Sequence, residues 1–520
     1  MTGPRRPRKG SPPAISAAKG RDYAAVRNRP LPVSFQGLQL PRSSHRPVVK
    51  GESLLQQTSV PVLGSKLALD QGVGLPGSPR TSCEIRLDAK KRLPNEGGRL
   101  FAALSSSGST QQSTSMFCPL TIKHYSLTGR ITSDLLLQSF VSVARNKGGP
   151  GVDGMDLVCF RKQALSLLSS LRKDLKAGTY QPSPVKRVYI PKSDGSDRPL
   201  GIPTVRDRVA QEVLRCLLEP LFEPLFHSDS YGFRPGRSCH QAIRRIGELF
   251  RKGYRHVVDA DIKGFFDNLP FSVLMKGLSY VVADGNILTL VQRILKAGVR
   301  EDGVITPTTV GTPQGGVLSP LLANIALTFL DAHLDDLGIR FVRYADDFVA
   351  LCKSKHQAQE ARLRIESYLK EELGLTLNSA KTKVTTFKEG FDFLGFELGS
   401  QRCRMRQKAV ENFKEKIREG TIRKRNLDAR AIEELNAVVR GTANYFGADF
   451  SRCQDQFRRL DLWYRMRLRC MKYKRKSAKD NWRLRNARLK RMGVVFLEDV
   501  HRHLRSKTRD PPTRDASPQG

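Results

Sequence analysis

Asp346 and Asp347 are adjacent carboxylates in the run Ile339-Arg340-Phe341-Val342-Arg343-Tyr344-Ala345-Asp346-Asp347-Phe348-Val349-Ala350-Leu351. Apolar residues flank them closely on both sides, the pattern of a hairpin of two largely buried strands with acids at the bend. Neighbouring acids repel, and burial makes their charge costly unless something positive compensates. A hard divalent cation such as Mg²⁺ is the natural compensation, with Mn²⁺ a substitute. A second acidic strand end lies upstream, in Val257-Val258-Asp259-Ala260-Asp261-Ile262-Lys263-Gly264-Phe265-Phe266-Asp267. Nucleotidyl transfer with two metal ions roughly 3.5–4 Å apart needs carboxylates brought from separate strands to one sheet edge. Asp261 and the Asp346–Asp347 pair can supply them. On spacing alone, Asp259 and Asp267 compete for the same role.

The elements that must position these acids can be read in outline. Ile131, Leu135, Leu136, Phe140 and Val143 fall at helical spacing. Gly148-Gly149-Pro150-Gly151 breaks that helix, and a second is expected over 157–175, closed by Gly178. Strands follow around 185–190, with a turn at Ser193-Asp194-Gly195-Ser196. Long helices are expected over 207–218 and 318–334, the latter opening after Gly315-Gly316, with another over 354–372. Beyond Phe396 the pattern becomes amphipathic and basic, predicting helices over 407–419, 429–445 and 457–474. Residues 1–120 are rich in Pro, Gly, Ser and Arg without sustained periodicity, so a mostly disordered extension is expected. Its start suits an organelle transit peptide, a basic RNA-binding tail or a misassigned start codon.

The seven stretches that follow occur in the order and spacing of reverse transcriptases. They are Val188-Tyr189-Ile190-Pro191-Lys192 with Arg198-Pro199-Leu200-Gly201-Ile202-Pro203; Tyr231-Gly232-Phe233-Arg234-Pro235-Gly236-Arg237-Ser238; Asp261-Ile262-Lys263-Gly264-Phe265-Phe266-Asp267; Thr312-Pro313-Gln314-Gly315-Gly316-Val317-Leu318-Ser319-Pro320; Tyr344-Ala345-Asp346-Asp347; Leu375-Thr376-Leu377-Asn378 with Lys381-Thr382; and Phe393-Leu394-Gly395-Phe396. The form from Gln314 to Ile325 resembles the group II intron-encoded branch. Leu435-Asn436 followed by Arg440-Gly441-Thr442-Ala443-Asn444-Tyr445-Phe446 resembles its maturase motif, with Thr442 where the family usually has Trp. The resemblance implies an α+β fold: a right-hand polymerase with fingers and an antiparallel palm sheet over 121–400, a helical thumb/maturase domain over 401–480, and a basic tail over 481–520.

By that resemblance Asp261, Asp346 and Asp347 are the catalytic metal ligands of an RNA-directed DNA polymerase. Lys192 and Arg198 match the fingertip that binds the triphosphate, a role suited to mobile and forked cations. Phe266 matches the ring that excludes a 2′-hydroxyl, with Phe265 read as core. Gln314 lines the nucleotide pocket, or serves only a capping turn. Lys381 protonates the leaving pyrophosphate, or only offsets nearby charge. Arg234 and Arg237 match template contacts. The implied partners are group II intron RNA, an RNA template with a DNA or RNA primer, target DNA and dNTPs, with a homodimer left open. The implied activities are reverse transcription, maturase-assisted splicing and retrohoming. The rivals are a retron-like or defence-associated reverse transcriptase and a non-enzymatic splicing cofactor. Within 481–520 only His501 and His503 are histidines, read as solvent-facing, and Cys is absent, so no His-Asn-His nuclease is expected.

Charge agrees with a polyanionic partner. The 520 residues hold 89 Lys and Arg against 50 Asp and Glu, a net +39. Residues 401–520 carry +19 and residues 1–120 carry +12, leaving +8 for 121–400, where acids are expected to hold metal. The C-terminal region should therefore grip phosphates. No run of about 18 apolar residues is present to cross a membrane. Nine scattered Cys, without a Cys-x-x-Cys pair, disfavour a zinc ribbon and indicate isolated thiols. Their odd number and the lack of a secretory segment suggest a reducing, intracellular setting. The family resemblance implies a cytoplasmic, nucleoid-associated intron ribonucleoprotein, with an organelle left open.

Overall fold

Strand alternation builds the centre of the molecule. The structure, a computed structural model, describes residues 122–191, 197–312 and 314–507. The expected extension over 1–120, the 193–196 turn and Lys192 lie outside the described residues. Eleven strands are described: β1 (Val185–Pro191), β2 (Asp197–Ile202), β3 (His256–Asp261), β4 (Val299–Glu301), β5 (Val304–Thr306), β6 (Arg340–Tyr344), β7 (Asp347–Cys352), β8 (Lys383–Thr386), β9 (Phe391–Phe393), β10 (Phe396–Leu398) and β11 (Cys403–Met405). They form three sheets, in the orders β2-β1-β4-β5, β6-β7-β3-β8 and β11-β10-β9. The second of these is antiparallel throughout.

Side chains alternate across that sheet with period two. Val258, Ala260, Phe348, Ala350 and Cys352 enter the main core on one face. Val257, Val342, Val349 and Leu351 enter a second core on the other. The main core is organised around the helix Ser319–Asp336, buried on nearly every side and started by Pro320 in its first turn. The second core is closed by the helix Cys239–Arg251. That helix places Ala242, Ile243, Ile246 and Leu249 inward and begins with a capping box between Ser238 and Gln241. Most helices appear where periodicity places them. The one expected over 157–175 instead divides into Leu157–Lys162 and Ala164–Ala177, because Gln163 between them leaves helical geometry at φ −117°, ψ 18°. Gly178 ends the second piece in the left-handed conformation, as expected.

After β11 the chain is helical. Gln407–Gly420, Ala429–Phe446 and Gln454–Tyr473 bury Val410, Phe413, Ile417, Ile432, Leu435, Val439, Phe457, Leu460 and Leu468 in one core. Leu484, Leu489, Val494, Phe496 and Leu497 belong to that same core. The basic tail expected over 481–520 is therefore corrected: its described part, through residue 507, continues the helical domain and ends in the helix Leu497–Lys507. Two buried polar side chains hold this segment. Asn436 donates to the Gly493 carbonyl at 2.8 Å and accepts from the Val495 amide at 2.9 Å. Asp461 accepts the Leu497 and Glu498 amides at 2.9 and 3.0 Å, meeting the otherwise unpaired N–H groups of the last helix. His501 is likewise corrected from solvent-facing to buried: its ring packs edge-on to Phe457 at 5.4 Å, and a Cβ on Gly447 would lie 3.0 Å from its Nδ1. His503 is exposed, as expected.

A chain ending at residue 480 would leave that core open. Each large apolar side chain withdrawn costs about 2 kcal/mol of burial. The truncated protein is expected to melt well below the full chain and to expose apolar surface to dye, whereas an unchanged melting temperature would contradict this packing.

Candidate active site

The acids gather where one sheet face runs out of apolar residues. Asp259 and Asp261 are two apart on β3 and share a face. Asp261 pairs across the antiparallel ladder with Asp347, and Val257 pairs with Leu351 further along. The face that is apolar at Val257, Val349 and Leu351 is thus acidic at Asp259, Asp261 and Asp347. Asp346 occupies the two-residue turn between β6 and β7, closed by the Tyr344–Asp347 pair. Ala345, the first residue of that turn, has φ +60°, the geometry of a hairpin turn that usually calls for glycine. Asp267 is not part of this face. It lies on the short helix Phe265–Asn268, where Gln314 Nε2 donates to it at 3.3 Å.

Crowding shifts these groups. Burial pushes Asp347 up from 3.8 to about 7, with Asp259, Asp346 and Asp261 adding to the rise and Arg406 opposing it. Burial also raises Asp346, helped by Asp261 and opposed by Arg198 and Arg343. Asp259 is pushed up to about 6 by burial, although Lys383 lies 3.8 Å away and pulls the other way. Asp261 faces Lys381, whose Nζ is 3.3 Å from Oδ2. Among the described residues no three acids already stand close enough to enclose an ion. The set nonetheless fits a divalent cation: hard oxygen donors from two strands and a turn, each disfavouring its neighbour's charge, lack only positive charge between them.

The other expected residues divide. Arg198, on β2 opposite Ile190, reaches Asp346 electrostatically, so the fingers sheet faces the acids. Phe265 is buried, and Phe266 is half-buried against it with ring centroids 5.3 Å apart. Gln314 is half-buried, and its carbonyl accepts from Gly201 N at 2.7 Å. Gly315 beside it has φ +115°, and a Cβ there would lie 2.4 Å from the Gly201 carbonyl oxygen, so only glycine lets this loop meet the fingers. Arg234 departs from its expected role as a template contact. It is buried, and it donates to the Glu223 carboxylate, to the carbonyls of His227 and Ser230 at 2.7 Å each, and to the Glu223 carbonyl. Arg237 is half-buried in that loop, over the Tyr231 ring at 5.4 Å. Thr442 spends its hydroxyl on the Val438 carbonyl at 2.9 Å within its own helix. Seven thiols are described, all free.

Sequence reasoning missed the charge beneath the turn. Arg343 is fully buried against Asp331 and Asn324. The available signal was an arginine inside the apolar strand run Phe341-Val342-Arg343, because a buried guanidinium requires a buried partner.

Comparison with known proteins decides the lineage. Residues 190–398 match the family model described as "Reverse transcriptase (RNA-dependent DNA polymerase)", and residues 410–490 match "Group II intron, maturase-specific domain". Protein YkfC of Escherichia coli (strain K12) is 36% identical over 293 residues, covering 49% of this chain and 77% of that protein. The chain belongs to the group II intron-encoded reverse transcriptase/maturase family. The group II intron-encoded protein LtrA of Lactococcus lactis subsp. cremoris is 30% identical over 379 residues, covering 54% of this chain and 63% of LtrA. A 91 kDa protein in the cob intron of Schizosaccharomyces pombe is 29% identical over 403 residues, covering 60% of this chain and 50% of that protein. The chain thus spans less than two thirds of the length of these last two relatives. This reverse transcriptase/maturase carries an RNA-directed DNA polymerase domain, of a family that uses divalent metal, followed by a maturase domain. None of its described helices is long and apolar enough to cross a membrane.

The raised acids give a pH signature. Asp347 holds its proton more tightly in the folded chain, so between 3.8 and about 7 the unfolded state binds fewer protons and stability falls as pH rises through that window. Water reaches the outer side of Asp347 and screens part of the effect. With divalent ions chelated, Asp347→Asn is expected to melt above the unsubstituted protein at pH 8. The gap should close as pH falls toward 4, and a pH-independent gap would contradict the assignment.

Proposed function

We propose that this protein extends a DNA or RNA primer with dNTPs on an RNA template, using Asp261, Asp346 and Asp347 to hold two Mg²⁺ ions, with Mn²⁺ able to replace them. The observation that carries this reading is the Asp261–Asp347 register with Asp346 at the adjoining turn. The new bond joins the primer 3′-oxygen to the α-phosphorus as the α–β bond breaks and pyrophosphate leaves. When bound, the ions activate the 3′-hydroxyl and neutralise charge on the leaving group. Asp261 and Asp346 would be the principal holders of the ions, with Asp347 less direct. Arg198, with Lys192 beyond the fingers turn, would bind the triphosphate through forked and mobile cationic donors. Lys381, paired with Asp261 at 3.3 Å, would release it and donate a proton to pyrophosphate. Gln314, anchored to Gly201 and Asp267, would line the base and sugar pocket.

The helical domain would bind the parent intron RNA, assist its folding and splicing, and join the polymerase in returning the intron to target DNA. Its match to the maturase model and its excess of Arg and Lys support this. Thr442, occupied within its own helix, is not the aromatic contact usual in the family. No observation favours a retron-like or defence-associated reverse transcriptase. The intact acidic face speaks against a purely non-enzymatic splicing cofactor.

Asp346→Asn is expected to abolish primer extension on RNA while leaving RNA affinity close to that of the unsubstituted protein, since little volume changes. Extension at the unsubstituted rate would refute the metal assignment. Phe266→Ala should open room for a 2′-hydroxyl and reduce dNTP-over-rNTP preference by about tenfold or more. Mixed-pool competition measures this, and unchanged sugar selectivity would remove Phe266 from the pocket.

A further inference from the structure

Among the described residues Arg343 is the largest side chain excluded from solvent, at 0% exposure, and it lies on β6 one residue before Tyr344. A guanidinium so placed survives only when its charge is paired and its donors are used. Asp331, 1% exposed, accepts from Nε at 2.7 Å and from a second guanidinium nitrogen. Asn324 Oδ1 accepts at 2.9 Å, and the Ala345 carbonyl accepts at 3.0 Å. Asn324 and Asp331 are seven residues apart on the helix Ser319–Asp336, hence on one face. The planar fork of Arg343 thereby ties that helix to the turn that carries Asp346.

The turn is held from its other side as well. Residues 229–232 run beside β6: Arg343 N donates to Asp229 O at 3.0 Å, and Tyr231 N donates to Arg343 O at 2.8 Å. Gly232 follows, and a Cβ there would lie 2.2 Å from Ala345 N and 2.8 Å from the Tyr344 carbonyl carbon. Asn324 Nδ2 donates to Gly232 O at 2.8 Å, so one amide serves both Arg343 and the opposing backbone. Between these two surfaces sits Ala345 at φ +60°, a conformation that a residue with a Cβ keeps only when its surroundings impose it.

We infer that Arg343, clamped by Asp331 and Asn324, is a positioning residue that holds the 344–347 turn in the shape that aims Asp346 and Asp347, with Gly232 as the opposing surface. Arg343 acts through Ala345. The inference rests on the proposal that those acids hold the metal. Its rival is a salt bridge that stabilises the fold and does nothing for catalysis. The two differ in what a small loosening does. Displacing a reacting group by an ångström can cost about 100-fold in rate, whereas a purely structural bridge leaves the surviving folded protein fully active.

The test uses the full chain with Asn324→Ala, Gly232→Ala and Arg343→Lys. The first removes the shared amide, the second forces the turn outward, and the third keeps the charge but loses the fork. Single-turnover primer extension, dNTP KM, RNA affinity and melting temperature are measured, together with hydrogen exchange across 344–348 in the absence of metal and nucleotide. Asn324→Ala and Gly232→Ala are expected to lower kcat by about 10- to 100-fold with KM and RNA affinity within about twofold. Exchange should accelerate at 345–347 and stay unchanged in the helical domain. Arg343→Lys should recover melting temperature more fully than kcat. Folded Asn324→Ala or Gly232→Ala protein that extends primers at the unsubstituted rate would overturn the inference, as would unchanged exchange in the turn. If Asp346→Asn leaves extension intact, it is the metal assignment that fails, and the exchange data still judge the clamp.

Discussion

Negative charge crowded onto the end of a largely buried sheet face is the constraint on which the rest of this structure depends. Asp259, Asp261 and Asp347 share that face, Asp346 stands at its corner, and burial raises three of the four above their ordinary range. A fold that did only structural work would not keep such a cluster, because each acid makes its neighbour harder to ionise. Positive charge converges on it accordingly. Lys381 and Lys383 approach from the side of β8, Arg198 from the fingers sheet, and Arg343 from beneath the turn. The remaining shortfall of positive charge is what divalent cations would supply.

The surrounding architecture keeps that cluster in register. The β3–β7 ladder sets Asp261 opposite Asp347, and apolar residues further along the same strands anchor the ladder in two cores. Thr312 and the loop over 314–318 join three parts of the site. Gln314 O meets Gly201 in the fingers, Thr312 N meets Phe266 O, and the Val317 amide donates to the buried Gln211 at 2.7 Å. The helical domain attaches through aromatic packing. Tyr445 stacks on Phe396 at 5.6 Å and donates its hydroxyl to Leu394 O at 2.8 Å, so the turn between β9 and β10 is fixed to the helix Ala429–Phe446. Movement of the helical domain would therefore be felt at that turn.

The acidic hairpin and β3 were legible in the sequence because alternation and charge coincide there. The choice of Asp261 over its rivals Asp259 and Asp267 was half legible: two-residue spacing puts Asp259 on the same face as Asp261, and only the end of β3 at Asp261 removes Asp267 from it. The helix Cys239–Arg251 was announced by Ser238 and Gln241, a capping signal that the sequence reading passed over. The packing of 484–501 was hidden. Its first apolar residues, Leu484 and Leu489, are set among arginines that read as a basic tail, and the polar anchors of the apolar run that follows, Asn436 and Asp461, lie tens of residues upstream. Arg234, placed by a motif, and His501, placed by its basic surroundings, were misplaced for a related reason: local sequence suggests a role, whereas burial depends on distant chain. The partnership of Arg343 with Asp331 and Asn324 shows the same limit, since nothing local says which acid will answer a buried arginine.

Asp261, Asp346 and Asp347 are proposed to form one metal-binding set. Crystals grown with template, primer, an incoming dNTP and Mn²⁺ test it through anomalous scattering. Two peaks about 3.5–4 Å apart, between the Asp261 carboxylate and the Asp346–Asp347 turn, are the predicted result. Peaks at Asp267 instead, or none within reach of Asp261 and Asp346 while nucleotide is bound, would contradict it.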